Sequence, residues 1–384
     1  MRILQFGRYD YDQIKGGVQY YADRLAFHWA QSEDPKVEID EIVSDAHATT
    51  RIIRTKNRTK ISVASYGLFK SVPISPGILL WGWKQMLTKK YDIIHINLPD
   101  PLSILALAFF PKKAPWVVTW HSDIVRQKFL LKLYEPLLKL VMRRVDRVIV
   151  STPYHLTSCP QLAALKMSDK IDIVPFGIES SGWELTAEVK ERALRLRSEH
   201  VGKFLLYSFG RHVYYKGYEY LVRAMKDLPN CHLRLGGSGP LTDSLKSLAA
   251  ELKIEDRIEF IGQVPDRDLA VNFYACDVFC FPSVDQSETF GYTQVEAMMC
   301  GRPTISTWLN NGVNFVNLDG VTGIVVQPRD PKGLVQAVRT LRDHPDLREK
   351  YSLQALERAR DLFLAEGTAR GVLAIFRRLI ALPR

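Results

Sequence analysis

Short apolar runs rich in β-branched residues alternate along this chain with longer stretches whose apolar positions recur at helical spacing. The strand-like runs of the first half are Arg2–Phe6, Val37–Val43, Asp92–Ile96, Trp116–Thr119, Arg147–Ser151 and Ile171–Val174, with a helix over about Val18–Gln31 after the first glycine loop. Apolar runs without polar alternation suit strands covered on both faces. Strands alternating with helices predict βαβ units in a doubly wound parallel sheet. The pattern restarts with strand Phe204–Gly210, helix Tyr218–Lys226, strands His232–Leu235, Ile258–Ile261, Val278–Phe281, Thr304–Ser306 and Thr322–Val326, and helices between and after them. The chain therefore reads as α/β with two domains. Residues 1–179 form the first, the polar, helix-prone stretch 180–203 a linker, 204–365 the second, and 366–384 a C-terminal helix packing back on the first. Open α/β sheets bind ligands at the carboxyl ends of their strands, so two such domains facing each other predict a substrate cleft.

Composition narrows this. A chain of 384 residues with 46% hydrophobic and 24% charged residues is neither disordered, collagenous nor a small disulfide scaffold. Its longest apolar run, near Ile104–Phe110, falls far short of the roughly 20 residues of a membrane span. The opening Met1–Gly7 reads as a strand and a glycine turn, unlike a signal peptide. Five cysteines without a CxxC pair indicate reduced, buried thiols and a cytoplasmic protein.

The net charge of +10 is lopsided: residues 1–175 hold 25 Lys and Arg against 16 Asp and Glu, and residues 176–384 hold 27 against 26. A basic half beside a neutral half points to an anionic partner for the first domain. Two clusters dominate: Arg51, Arg54, Lys56, Arg58 and Lys60, read as an exposed loop, and the leucine-rich Lys128–Arg147 stretch, read as a helix kinked or divided at Pro136. The second is either a basic amphipathic surface for an anionic membrane or a core helix with solvated lysines. No nucleic-acid motif accompanies the charge, so no nucleic-acid partner is expected.

The strongest chemical signal is Ser287-Glu288-Thr289-Phe290-Gly291 running into a helix that carries Glu296. Amides at a helix N-terminus suit an anion or a sugar hydroxyl, and ionised carboxylates accept several hydrogen bonds from vicinal hydroxyls. Arg211 and Lys216 follow the first strand of the second half, where two cations suit a pyrophosphate. Gly16-Gly17 precedes the first helix, and His121 follows strand Trp116–Thr119, where it can titrate or donate. Gly236-Gly237-Ser238-Gly239-Pro240 lacks the dinucleotide-binding spacing, and Asp10-Tyr11-Asp12, although it matches a metal–nucleotide DxD, reads as a loop.

The ordered set Gly16-Gly17, Trp120-His121, Arg211, Lys216-Gly217, Gly239-Pro240, Glu288 and Glu296 resembles the retaining glycosyltransferases of family 4 over nearly the whole chain. The resemblance implies the GT-B fold, two Rossmann-like doubly wound domains facing a central cleft. It implies that Glu296 binds the nucleotide ribose, Glu288 the donor sugar's hydroxyls, Arg211 and Lys216 the diphosphate, and the Thr289, Phe290 and Gly291 amides the donor. Gly16 and Gly17 would lie near the diphosphate and acceptor, His121 near the transferred sugar, and Gln263 and Val264 at the base. His121, Arg211, Lys216 and Glu288 are thus the catalytic candidates.

Trp120–Val125 and Gly312–Val316 further resemble bacterial enzymes that build surface polysaccharides from GDP-mannose or a related donor on polyprenyl-diphosphate-linked saccharides. The segment Thr307-Trp308-Leu309-Asn310 departs from relatives that carry smaller residues before a glycine. No cofactor or metal is expected, the nucleotide sugar being a substrate. The expected setting is the inner face of the plasma membrane, with the basic half on anionic lipid and Trp81 and Trp83 as neighbours of the acceptor's lipid chain. A UDP-sugar enzyme, an inactive nucleotide-sugar-binding protein and a synthase with soluble acceptors are the alternatives.

Overall fold

A computed structural model describes residues 1–33, 36–69, 72–124 and 128–381, with only the backbone of residues 69 and 128–133. The expected contribution of Lys128 and Lys132, and of Val125, lies outside the described residues and side chains. The chain divides into two compact units, Met1–Gly177 with Ala365–Arg384, and Ile178–Leu364.

The first unit contains strands β1 (Arg2–Tyr9), β2 (Glu38–Ser44), β3 (Arg51–Arg54) and β4 (Arg58–Val63), a short hairpin of β5 (Leu68–Phe69) and β6 (Val72–Pro73), then β7 (Ile93–Leu98), β8 (Trp116–Trp120), β9 (Arg147–Val150) and β10 (Ile171–Ile173). Eight of these form one sheet in the order β10-β9-β8-β7-β1-β2-β4-β3. All pairs are parallel except β3 with β4. The central strands are buried at successive positions, as strands covered on both faces must be. The terminal helix Ala365–Ala381 packs on the first helix, Gly17–Gln31. Fully buried Trp29 there donates from Nε1 to the Ala369 carbonyl at 3.1 Å and meets the Phe376 ring at 5.3 Å.

The stretch Arg51–Lys60 is not the exposed loop its polarity suggests. It forms β3 and β4, and the two-residue period of β4 turns Arg58, Lys60 and Ser62 to one face. Arg58 meets Asp23 and Glu41 there, Lys60 Nζ lies 3.0 Å from Asp10 Oδ1 and 2.9 Å from Asp12 Oδ2, and Ser62 donates to Asp10 at 3.1 Å. These cations balance buried carboxylates, which also engages the Asp10-x-Asp12 pair in structure. Arg54 and Lys56 remain exposed. The basic helix, Lys128–Arg143, runs unbroken through Pro136. Arg144 just beyond it donates to the carbonyls of Leu107 and Phe110 and covers the Trp116 ring, while Arg147 pairs with Asp172. Trp81 and Trp83 pack half-buried against the core, and Trp83 donates to the Ala106 carbonyl at 2.9 Å.

The second unit is a sheet of β11 (Phe204–Phe209), β12 (Cys231–Gly236), β13 (Ile258–Gly262), β14 (Val278–Phe281), β15 (Thr304–Thr307) and β16 (Gly323–Val326), all parallel, in the order β13-β12-β11-β14-β15-β16. The expected linker 180–203 belongs to this unit. Its helix Ala187–Ser198 is capped by Thr186, buries Ala193, and is tied by Arg192 to Asp268 and by Arg197 to Asp277. Its polarity reflects attachment through ion pairs rather than detachment, and the unit boundaries fall at 177/178 and 364/365. All five cysteines are buried and free. No helix among the described residues is long and apolar enough to cross a membrane.

Candidate active site

In the second sheet the connections from β11 lead outward through β12 and β13 on one side and through β14, β15 and β16 on the other. The order reverses between β11 and β14, which is where an open α/β sheet leaves a crevice outside the carboxyl ends of its strands. The loops that follow these two strands carry the sequence-predicted residues.

After β11 come exposed Arg211, the turn Tyr214–Lys216, and Gly217, which starts helix Tyr218–Met225 at φ +65°. A Cβ at Gly217 would stand 2.1 Å from the Pro282 carbonyl oxygen, so only glycine lets this loop press on the loop after β14. Val284 N donates to the Tyr215 carbonyl at 2.8 Å across the same junction. The result is an ion pair over the switch point: Lys216 Nζ lies 2.5 Å from Glu288 Oε2, with both side chains 12% exposed. Glu288 also accepts from Ser283 Oγ at 3.2 Å, and the ammonium sits 4.7 Å from the Phe281 ring centroid. An ammonium has three donors, so Lys216 can serve an anionic ligand and Glu288 together.

Gly291, at φ +82°, caps helix Tyr292–Met299. Phe290 is buried against Tyr292 and Phe363, so the side chain anchors the loop. Thr289 is half-buried. Asn311 Nδ2 holds this loop by donating to Gln286 Oε1 at 3.0 Å and to the Glu288 carbonyl at 2.6 Å. Asn314 secures the neighbouring 307–310 turn, accepting from the Leu309 and Asn310 amides at 2.8 Å and donating to the Thr307 carbonyl at 2.9 Å. Sequence reasoning missed Gln286, Asn311 and Asn314 as supports.

One turn into the helix, Glu296 is half-buried, and its Oε2 lies out of solvent with no hydrogen-bond partner. Burial pushes this carboxyl up to about 7, against the pull of the Lys216 ammonium and with the repulsion of Asp266. A withdrawn carboxylate oxygen without a donor, within the field of the Lys216 ammonium, has the capacity to accept hydrogen bonds from a ligand. Gln263 and Val264, after β13, gather with the Gly236–Gly239 turn. Gln263 is exposed and donates to Ser238 Oγ, and half-buried Val264 lies against Gly236.

The first unit presents its candidates at the carboxyl ends of its own strands. Gly16 is the extended N-cap of helix Gly17–Gln31, with no side chain capping the first turn. His121 follows β8 and is buried, between Tyr21 at 4.9 Å and Phe176 at 5.0 Å. Asn97 gives its Nδ2 hydrogen to the Phe6 carbonyl, so its Oδ1 accepts from His121 Nε2 at 3.1 Å. Burial lowers the His121 ring to about 3. Of the two expected roles, titrating or donating, burial favours a neutral imidazole, which with Nε2 donating to Asn97 keeps Nδ1 as its acceptor. The structure thus brings Lys216, Glu288 and Glu296 together, supports the Thr289–Gly291 loop beside them, and sets Gly16, Gly17 and His121 in the other unit.

Two Rossmann-like units, the second with a cation–carboxylate pair at its switch point, define a glycosyltransferase of the GT-B fold. The Glycosyltransferase Family 4 profile matches residues 15–181 and that of Glycosyl transferases group 1 residues 191–358. The D-rhamnosyltransferase WbpZ of Pseudomonas aeruginosa is 33% identical over 295 residues, 76% of this chain and 75% of that protein. The O-antigen chain mannosyltransferase C of Escherichia coli is 30% identical over 375 residues, 95% of each chain. Sucrose-phosphate synthase from Thermosynechococcus elongatus shares the fold with a TM-score of 0.79 at 22% identity, covering 99% of both chains. The chain belongs to glycosyltransferase family 4.

Proposed function

We propose that this glycosyltransferase moves a hexose from GDP-mannose or a GDP-deoxyhexose to a polyprenyl-diphosphate-linked saccharide during synthesis of a bacterial surface polysaccharide, with retention of anomeric configuration and without a metal. The observation that carries the donor site is the partnerless, buried Glu296 Oε2 beside the Lys216–Glu288 pair. The relatives named for rhamnosyl transfer and for O-antigen mannosyl transfer support the choice of sugar and acceptor.

In this reading Glu296 accepts hydrogen bonds from the ribose diol, and Gln263 and Val264 meet the base. Lys216 and Arg211 neutralise the diphosphate as negative charge gathers on it, which is where fixed cations lower a barrier most. The Thr289–Gly291 amides and Glu288 orient the sugar, Gly16 and Gly17 lie by the diphosphate and acceptor, and neutral His121 offers Nδ1 to a sugar hydroxyl. The bond from the anomeric carbon to the phosphate oxygen breaks as the bond to the acceptor oxygen forms on the same face. The departing phosphate oxygen takes the acceptor's proton.

The enzyme works at the cytoplasmic face of the membrane as a peripheral protein. Support comes from the helix Gly77–Thr88, which exposes Leu80, Lys84 and Leu87 on one face, and from exposed Phe109, Lys112 and Lys113. A thermal-shift screen against GDP, UDP, ADP and their sugars tests the donor, followed by measured nucleoside diphosphate release with an acceptor lysate. Stabilisation by GDP is expected at about 2.7 kcal/mol for a hundredfold excess over Kd. A shift with UDP and none with GDP overturns the donor, and tight binding without release overturns the transfer.

A further inference from the structure

At the amino-terminal end of the second sheet, opposite the carboxyl ends that carry Lys216 and Glu296, two histidines and a glutamate converge. His232 is the second residue of β12 and Glu259 the second of β13, and the register that pairs Arg234 with Glu259 sets them on neighbouring strands. His200 comes from the turn after helix Ala187–Ser198, and its ring stacks on His232 with centroids 4.2 Å apart. One ligand atom from each of the three lies within 4.8 Å of the others, and His200 Nε2 is 3.8 Å from Glu259 Oε2. Nε2 of both histidines is withdrawn from water and has no hydrogen-bond partner. Two buried ring nitrogens left unpaired side by side are rare, because each forfeits its hydration without replacement.

The electrostatics favour the ligand form of both rings. Burial, with Arg234 and the neighbouring imidazole, holds His232 down at about 4, and burial lowers His200 as well. Arg234 engages Glu259 through Oε2 and also donates to Asn272, and a carboxylate retains further lone pairs for a second partner. The partial exposure of Glu259, 42%, leaves room for water at the remaining positions.

We propose that His200, His232 and Glu259 form a site for a first-row transition ion of the Zn²⁺ type, which fastens the turn after helix Ala187–Ser198 to β12 and β13. Two imidazoles and one carboxylate suit Zn²⁺, whereas Mg²⁺ and Ca²⁺ seek oxygen sets. The site is structural, set apart along the strands from the residues assigned to transfer.

The full chain, stripped with EDTA and dialysed, is titrated with ZnCl₂ by calorimetry and melted with and without ZnCl₂, with MgCl₂ as control. Zn²⁺ is expected to bind one equivalent and raise the melting temperature, and Mg²⁺ to do neither. His200→Ala and His232→Ala should each weaken Zn²⁺ affinity at least about tenfold and abolish the rise. His200 stands in a turn, so its variant carries the test if His232→Ala does not fold. Absence of a Zn²⁺-dependent rise in the wild-type chain, or unchanged affinity in the His200 variant, overturns the site.

Discussion

Replacing Glu296 with glutamine separates the energetics of this carboxyl from its part in donor binding. Burial raises the folded-state pKa to about 7 from an ordinary 4.5. Between those values the folded chain holds a proton that the unfolded chain has lost. The contribution of Glu296 to stability is therefore most favourable below pH 4.5 and declines as pH rises toward 7. Each pKa unit is worth about 1.4 kcal/mol, so ionising Glu296 costs the wild-type fold about 3 kcal/mol at pH 8. Glutamine cannot ionise and escapes that cost. Glu296→Gln should unfold in urea with nearly wild-type stability at pH 4.5, and be more stable by about 3 kcal/mol at pH 8.

The same variant should bind nucleoside diphosphate more weakly, because charge-assisted hydrogen bonds to a diol are each worth about 1.5–3 kcal/mol. A fold made stronger and a ligand bound more weakly by one substitution is the signature of a residue kept for function. A stability difference between variant and wild type that is the same at pH 4.5 and pH 8 would refute the buried-charge argument. Undiminished nucleotide affinity would refute the binding role.

Three other substitutions and one condition test further parts of the structure. Lys216→Ala should lower kcat/KM at limiting donor by about a hundredfold or more, the scale of losing one preorganised charge stabiliser, and steady-state turnover checks it. Gly217→Ala should destabilise by about 3 kcal/mol or more in thermal melts, because its Cβ meets the Pro282 carbonyl. Gly262→Ala, at the same φ of +65° but in open space, should cost only about 1–2 kcal/mol. Binding to anionic liposomes should exceed binding to neutral ones and weaken in high salt, since screening shortens the reach of surface charge, and co-sedimentation reads both.

Most of the parallel strands were legible because they are compact apolar runs between turn and helix signals, and the rule that ligands meet strand carboxyl ends pointed to the loops carrying Lys216 and Glu288 and to the helix carrying Glu296. What escaped was set by partners far away in sequence. Nothing in Arg58 and Lys60 announces that Asp10, Asp23 and Glu41 wait on the same face, so β4 looked like a solvated loop. The helix Ala187–Ser198 fully buries only Ala193, with Val189 and Leu196 packed partly buried beside it, and ion pairs to Asp268 and Asp277 add to this narrow stripe, which a polar composition hides. The neutrality of His121 follows from burial among Tyr21, Phe176 and Asn97, three residues scattered through the chain. Asn311 and Asn314 work largely through backbone partners, which leave no pattern of residue types.

The path of the chain between its two units bears on how the protein comes into being. Residues 178–364 form one unbroken unit, whereas the first unit draws its last helix from beyond them. The Trp29 indole meets its acceptor, the Ala369 carbonyl, 340 residues later. During synthesis the first sheet emerges early and yet stays unfinished, with Trp29 lacking both the Phe376 ring and its hydrogen-bond partner, until residues 365–381 have followed the second unit off the ribosome. The continuous second unit has every segment it needs sooner. The order of completion therefore inverts the order of translation, and the face of the first helix that carries Trp29 is apolar surface left uncovered while it waits.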